Sequence, residues 1–393
     1  MTQTPKPSEL DKRMAPLSGS KTAMRWHDPA RPPFRLAGFP WHARDAVYRR
    51  LPRRPAGELP EAVDRLANCT AGGQISFQSD SSQIVIRVEL AGRADMNHMP
   101  ATGQCGFDLY TGPPFAQRYH STSKYDHLQT SYEVLLYEHP RRVLRSFTLN
   151  FPLYQGVKRV QIGLTPEAQL VPPLPWSAAG RIVIYGTSIT QGGCASRPGL
   201  AYTNILSRAL NTEVINLGFS GNGRGEPAVI HVVADVPKPR LFVLDYEANS
   251  AGKLQTTLPD AIDILRDRHR RVPLLVVSRI AYSRDATHGD SLQARERSRD
   301  MQSELVADLR NQGDDDLYFF DGSTLLGSDF DECTVDGVHP NDLGFMRIAR
   351  GLAPVIQSIL DEKARERSSA DDKRKTVQGS ALEIASSPGP SSQ

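Results

Sequence analysis

The period of the hydrophobic pattern changes once along this chain, near residue 171, and that change constrains the fold more than any other feature. From about Trp26 to Leu164 the apolar residues come in short alternating or β-branched runs: GQISFQS, QIVIRVEL after the turn SDSS, GFDLY, YEVLLYE, RSFTLNF and KRVQIGL. Spaced strands without helical patterning predict an all-β sandwich or jelly roll. The stretch AQLVPPLPWSAAG, stiffened by Pro172, Pro173 and Pro175, then reads as a connector. Beyond it, Arg181 to Tyr185, Glu213 to Asn216, Leu241 to Asp245, Leu274 to Ser278 and Tyr318 to Asp321 are short apolar runs of the kind found in buried parallel strands. Helical segments fall between them, near Ala201 to Leu210, Pro227 to Ala234, Leu258 to Arg268 and Ser291 to Asn311, and a last helix runs from Asp342 to about Leu360. This alternation predicts an α/β unit with a doubly wound parallel sheet, its active site at the carboxyl ends of the strands.

The expected organisation is therefore a β domain over 25–170 and an α/β domain over 171–361. The ends, 1–24 and 362–393, are rich in Ser, Pro, Lys and Asp, bury too little to offset ordering entropy, and are expected to be disordered. With 393 residues the chain is long enough for two buried cores without disulfides. Its four cysteines lie far apart with no CxxC pair, which disfavours a zinc ribbon and a disulfide framework. No apolar run suggests a membrane span and the start has no apolar h-region, so a cytoplasmic setting is expected, with no membrane partner. The net charge of +3 gives no field that argues for nucleic acid. By segment it resolves into 18 basic against 13 acidic residues over 25–170 and 19 against 23 over 171–360. A mild electrostatic match between the two domains is expected to favour their docking.

The chemistry is concentrated at predicted strand ends. RIVIYGTSITQGG runs from a buried strand straight into Gly186, Thr187 and Ser188. A hydroxyl at such a strand-to-helix turn is a seat for a nucleophile, and equally a capped turn. It matches neither the GxSxG elbow nor the GxxxxGK[ST] loop. Before the last helix, CTVDGVHPNDLG places Asp336 and His339 three residues apart, where His339 could be a general base oriented by Asp336; a surface turn or a metal loop would look the same. NLGFSGNG offers Gly221 as a backbone donor with Asn216 and Asn222 beside it, and LDYEANS offers the Asn249 side chain. Each alone reads as a turn glycine or a capping asparagine. Together they fall at successive strand ends, where acyl transfer needs them.

In order and spacing, GTSIT, NLGFSG, the asparagine of LDYEANS and DGVHP resemble the four blocks of the SGNH (GDSL-type) hydrolases, over about Gly180 to Leu360. The resemblance implies a flavodoxin-like α/β fold and an esterase or acyltransferase activity. By position it makes Ser188 the nucleophile and an oxyanion donor, Gly221 and Asn249 the other oxyanion donors, and Asp336 and His339 the remaining members of the triad. Thr187 stands where the usual motif has aspartate, and Ala248 where glycine often precedes the asparagine. GQCGFDLY similarly resembles the GxDLY signature of a β module that precedes this hydrolase subgroup, a layout shared with acyltransferases of polyketide tailoring and carbohydrate deacetylases.

The expected function is a serine esterase without metal or other cofactor, acting on a short-chain and possibly carbohydrate-linked acyl ester. An acyltransferase with a sugar or alcohol acceptor and a decayed carbohydrate-binding protein are the alternatives. His98, in the polar loop Asn97–Met99, could reach over the cleft, and Arg279 and His288 lie on the catalytic side of the sheet as candidate substrate contacts. Cys194 reads as a packed small residue or a reactive thiol. The cluster Arg49, Arg50, Arg53 and Arg54 reads as a solvated basic loop.

Overall fold

The computed structural model describes residues 6–385. Its first part contains β1 (Arg25–His27), β2 (Arg35–Ala37), β3 (Gln74–Ser79), β4 (Gln83–Leu90), β5 (Asp108–Thr111), β6 (Arg118–Thr122), β7 (Ser131–Glu138), β8 (Arg145–Asn150), β9 (Val157–Leu164) and β10 (Leu170–Val171). One antiparallel sheet has the order β1-β9-β4-β7; the other runs β10-β3-β8-β5-β6, with β2 also on β3. The alternation in the sequence decides which side chains meet between the sheets. Ile75, Phe77, Phe147 and Leu149 from one sheet pack against Ile84, Ile86, Val88, Val160 and Ile162 from the other. Four strands, β1, β2, β6 and β10, have no readable alternation because they are short or lie at edges; every residue of β6 keeps some exposure.

The second part is built on β11 (Arg181–Gly186), β12 (Glu213–Gly218), β13 (Pro239–Asp245), β14 (Leu274–Val277) and β15 (Leu317–Phe320), all parallel, in the order β12-β11-β13-β14-β15. This 2-1-3-4-5 order is the flavodoxin-like one, and it opens a crevice where β11 and β13 diverge to helices on opposite faces. Ile182 and Ile184 face α1 (Tyr202–Leu210) and α5 (Asp342–Ala385), whereas Val183 and Tyr185 face α2 (Pro227–Ala234), α3 (Leu254–Arg268) and α4 (Gly289–Asn311). Each fully buried aliphatic side chain in these two layers contributes about 1.5–3 kcal/mol.

Both chain ends differ from expectation within the described residues. Instead of disorder up to residue 24, Pro7–Leu10 and Lys12–Met14 form short helical turns. Leu17 N–H then bonds Lys124 O, Leu135 N–H bonds Ser18 O, and the Leu17 side chain packs on the sandwich core. At the other end α5 continues past Leu360 to Ala385, through residues whose composition had suggested a tail from 362. Its extension begins with a buried charge cluster, in which Lys363 Nζ lies 2.7 Å from Asp316 and 2.8 Å from Glu366. Residues 1–5 and 386–393 lie outside the described set. Asp342–Glu366 is long and apolar enough to cross a membrane, but Phe345, Ile348, Leu352 and Ile356 on it are buried in the core.

The two parts are joined through polar groups whose partners lie across the joint. Asp108, fully buried, accepts from Asn150 Nδ2 (2.7 Å) on its own side and from Arg197 Nη1 (2.8 Å) and Gly199 N–H (2.8 Å) on the other. Tyr110, two residues on, accepts from Arg197 at 2.7 Å and lies 4.0 Å beneath the Arg208 guanidinium. Arg50 is also fully buried; it donates to Leu66 O and Cys69 O on the β side and to Asn216 O and Gly218 O at the end of β12. Burial lowers the pKa of Arg50 to about 10, which leaves it charged at neutral pH. These contacts correct one expectation: Arg49 and Arg50 are buried and bonded, not solvated. The central ion pair has its acid on the β part and its base on the α/β part.

Candidate active site

Gly186 ends β11 and Thr187 caps the short helix Ser188–Gln191 by accepting from Ile189 N–H at 3.3 Å. Ser188 is thereby the first helical residue, where the helix N-terminus favours negative charge. The loop before α5 delivers the other two groups. A bridge between Thr334 and Pro340 closes it, Gly337 turns it at φ +86°, and Asp336 Oδ1 accepts the backbone N–H of Val338 and His339. Asp336 Oδ2 meets His339 Nδ1 at 2.7 Å, and His339 Nε2 lies 2.9 Å from Ser188 Oγ. With Nδ1–H given to the carboxylate, Nε2 is left to accept the serine proton. Partial burial pushes the Asp336 carboxyl up, but the hydrogen bonds from His339 and Val338 outweigh it and hold it below its ordinary value. It stays ionised beside the ring at neutral pH.

Gly221 has φ +68°, a conformation that favours glycine, and a Cβ there would meet nothing within 4 Å. The turn's own hydrogen bonds to Phe219 O come from Asn222 and Gly223 N–H, so the Gly221 N–H is not consumed by them. Gln191 holds this turn beside the serine helix, accepting from Ser220 N–H at 3.1 Å and donating to Leu153 O at 3.2 Å. Asn249 ends the 3₁₀ turn Glu247–Asn249 after β13, and its Oδ1 is buried without a hydrogen-bond partner. The residue is half-buried, and it is the amide nitrogen, not this oxygen, that could donate to an oxyanion.

The β part reaches the same place. Tyr154 donates to Ser188 O at 3.3 Å, and the His98 ring stands edge-on to His339 with centroids 5.9 Å apart. Tyr154 was invisible as a site residue in the sequence because its partner lies across the domain joint. The remaining candidates have other employment. Arg279 is bound by Asp285 (2.9 Å), approached by Glu247 (3.8 Å) and stacked on Tyr282, so its charge is already matched. It is a wall residue, not a free substrate contact. His288 precedes α4 on the exposed surface, pairs with Thr287 at 2.8 Å, and has no contact with the Ser188–His339 pair among the described residues. Asn216 is fully buried and spends its amide on Thr190 O, Thr203 and Gly218 N–H, and Asn222 bonds Ser220 O.

Beneath the serine helix lies a group the sequence reading passed over, Asp245 at the end of β13. It accepts from Tyr202 OH at 2.7 Å and Thr190 Oγ1 at 3.0 Å. Burial raises its pKa to about 6 despite these donors. The native state thus binds this proton more tightly than the unfolded chain, and stability is gained as pH falls through about 6 and lost above it. Tyr202→Phe removes a donor from the ionised form. It is expected to cost about 2–3 kcal/mol at pH 8 and roughly 1 kcal/mol at pH 5, where the carboxyl is protonated. Urea denaturation at both pH values checks this, and equal losses would count against it.

The arrangement is a hydroxyl, an imidazole and a carboxylate in hydrogen-bonded series at the crevice of a doubly wound sheet. Residues 179–357 match the GDSL-like lipase/acylhydrolase family, and residues 24–170 match the GxDLY domain that forms the N-terminus of SGNH hydrolase-type esterases. A Bacteroides ovatus protein assigned as a GDSL-like lipase superposes with a TM-score of 0.78 at 28% identity, covering 86% of this chain and 98% of its own. The salicylyl-acyltransferase SsfX3 of a tetracycline biosynthetic pathway gives 0.69 at 18% identity, with 86% and 97% covered. A family two carbohydrate esterase from Cellvibrio japonicus gives 0.55 at 16%, with 86% and 98% covered. Among curated proteins none matches significantly. The Ser188 and DGVHP loops, the flavodoxin-like sheet and the GxDLY module agree with these matches: the chain belongs to the GDSL-like lipase/acylhydrolase family of ester hydrolases, in the SGNH branch that carries an N-terminal GxDLY domain.

Proposed function

We propose that the protein is a serine esterase that removes a short-chain acyl group from a carbohydrate through an acyl-enzyme on Ser188. The observation that carries this reading is the series Ser188–His339–Asp336 at 2.9 and 2.7 Å. As Oγ attacks the ester carbonyl, His339 Nε2 takes its proton and Asp336 stabilises the imidazolium. The carbonyl oxygen gains charge between Ser188 N–H, Gly221 N–H and the Asn249 amide. The sugar alkoxide leaves with the proton from His339, and water repeats the sequence in reverse to release the acid. The carbohydrate substrate rests on the two-domain fold shared with the Cellvibrio japonicus esterase and on the open side of the site at His98.

Labelling of Ser188 by a fluorophosphonate probe, followed by a screen of acetylated sugars against longer acyl esters, tests this. No labelling of folded protein would favour a catalytically inactive carbohydrate-binding protein. Transfer to an added sugar or alcohol in preference to water would make it an acyltransferase, using the same three residues. Asn249→Ala is expected to lower kcat about 10²–10³-fold, as loss of an oxyanion donor does, with KM little changed. An unchanged kcat would remove Asn249 from the oxyanion site.

A further inference from the structure

Beside the serine series, and sharing its histidine, the His98 ring, the Cys194 thiol and the His339 ring offer ligand atoms that all lie within 4.8 Å of one another. They come from three separate places: a loop of the β part, the turn after the serine helix, and the loop before α5. Cys194 is buried, at φ +76°. His98 is exposed, and among the described residues its polar contact is Asn97 Oδ1 at 3.2 Å, so its ring can turn. We infer that His98, Cys194 and His339 bind a thiophilic divalent cation, zinc being the first choice, and that its binding switches the esterase off.

The donor set decides the cation. Two imidazoles and a thiolate are ligands for zinc and its soft neighbours, not for calcium or magnesium, which require oxygen. Tetrahedral zinc needs donors about 3.4–3.6 Å apart, so the cluster must close by up to roughly an ångström, to which a turn of the exposed His98 ring contributes. Binding releases the thiol proton and leaves the fourth position to water. His339 has Nδ1 engaged by Asp336 at 2.7 Å, so only Nε2 can bind metal, and Nε2 is the atom that accepts from Ser188. A metal there removes the base, while Asp336 becomes the outer carboxylate that commonly orients a metal-bound histidine. The inhibition rests on the esterase reading; the binding does not.

Cobalt(II) titrated into the full-length protein is expected to give a thiolate charge-transfer band in the near ultraviolet with tetrahedral visible bands. Cys194→Ala should abolish the charge-transfer band. His98→Ala, at an exposed position, should weaken cobalt binding about tenfold or more. In ester hydrolysis, saturating zinc should lower the rate at least tenfold, with recovery on adding EDTA and no response to magnesium. Each variant, compared with its own metal-free rate, should need about tenfold more zinc for half-inhibition. Absence of the band in the wild-type protein, or variants inhibited at the wild-type zinc concentration, overturns the inference. A protein that shows the band and hydrolyses no ester retains the metal site and instead defeats the esterase reading.

Discussion

Ser188→Ala is expected to lower p-nitrophenyl acetate hydrolysis by roughly four to six orders of magnitude while the protein stays folded. The hydroxyl is small and its removal leaves the capping bond from Ile189 N–H to Thr187 untouched, so the loss is chemical. His339→Ala should cost about as much, and the double variant little more than either, because a base with nothing to deprotonate contributes nothing. Additive losses in the double variant would mean that the two residues act in separate steps. A Ser188→Ala rate equal to that of the wild type would remove Ser188 as the nucleophile altogether.

The second large effect concerns folding. Asp108→Ala removes from the buried joint the carboxylate that Arg197, Gly199 N–H and Asn150 Nδ2 now share as an acceptor. Breaking one side of a buried pair costs about 3–5 kcal/mol, a large part of the stability of an ordinary domain. Asp108→Leu combined with Arg197→Met should recover much of that, because it removes both charges instead of stranding one. Urea denaturation of the three proteins checks this; a single-variant loss below about 1 kcal/mol would show that solvent replaces the lost partner.

What was legible in the sequence is what depends on neighbours in the chain. RIVIY declares a buried strand by its own composition, and Asp336 and His339 are held by a turn of four residues that the letters DGVH specify. The long-range partners were not legible. Arg50 sits in RRLPRRP, where nothing local distinguishes it from Arg53, yet its acceptors at Asn216 and Gly218 lie more than 160 residues away. Arg279 was placed at the right edge of the sheet, but its neutralisation by Asp285 depends on how the next loop folds back. Likewise Asp108 was recognised as part of a signature without any indication of its work, since Arg197 and Gly199 come from the other part of the chain.

Tyr154 donating to the carbonyl of Ser188, and Gln191 donating to Leu153 O, have a consequence for how such a chain can change over time. The halves are not interchangeable cassettes. A different N-terminal module would have to bring its own cation for Gly218 O, its own anion for Arg197 and its own hydroxyl for the serine turn. A substitution on one bank of the joint therefore strands or re-pairs a group on the other.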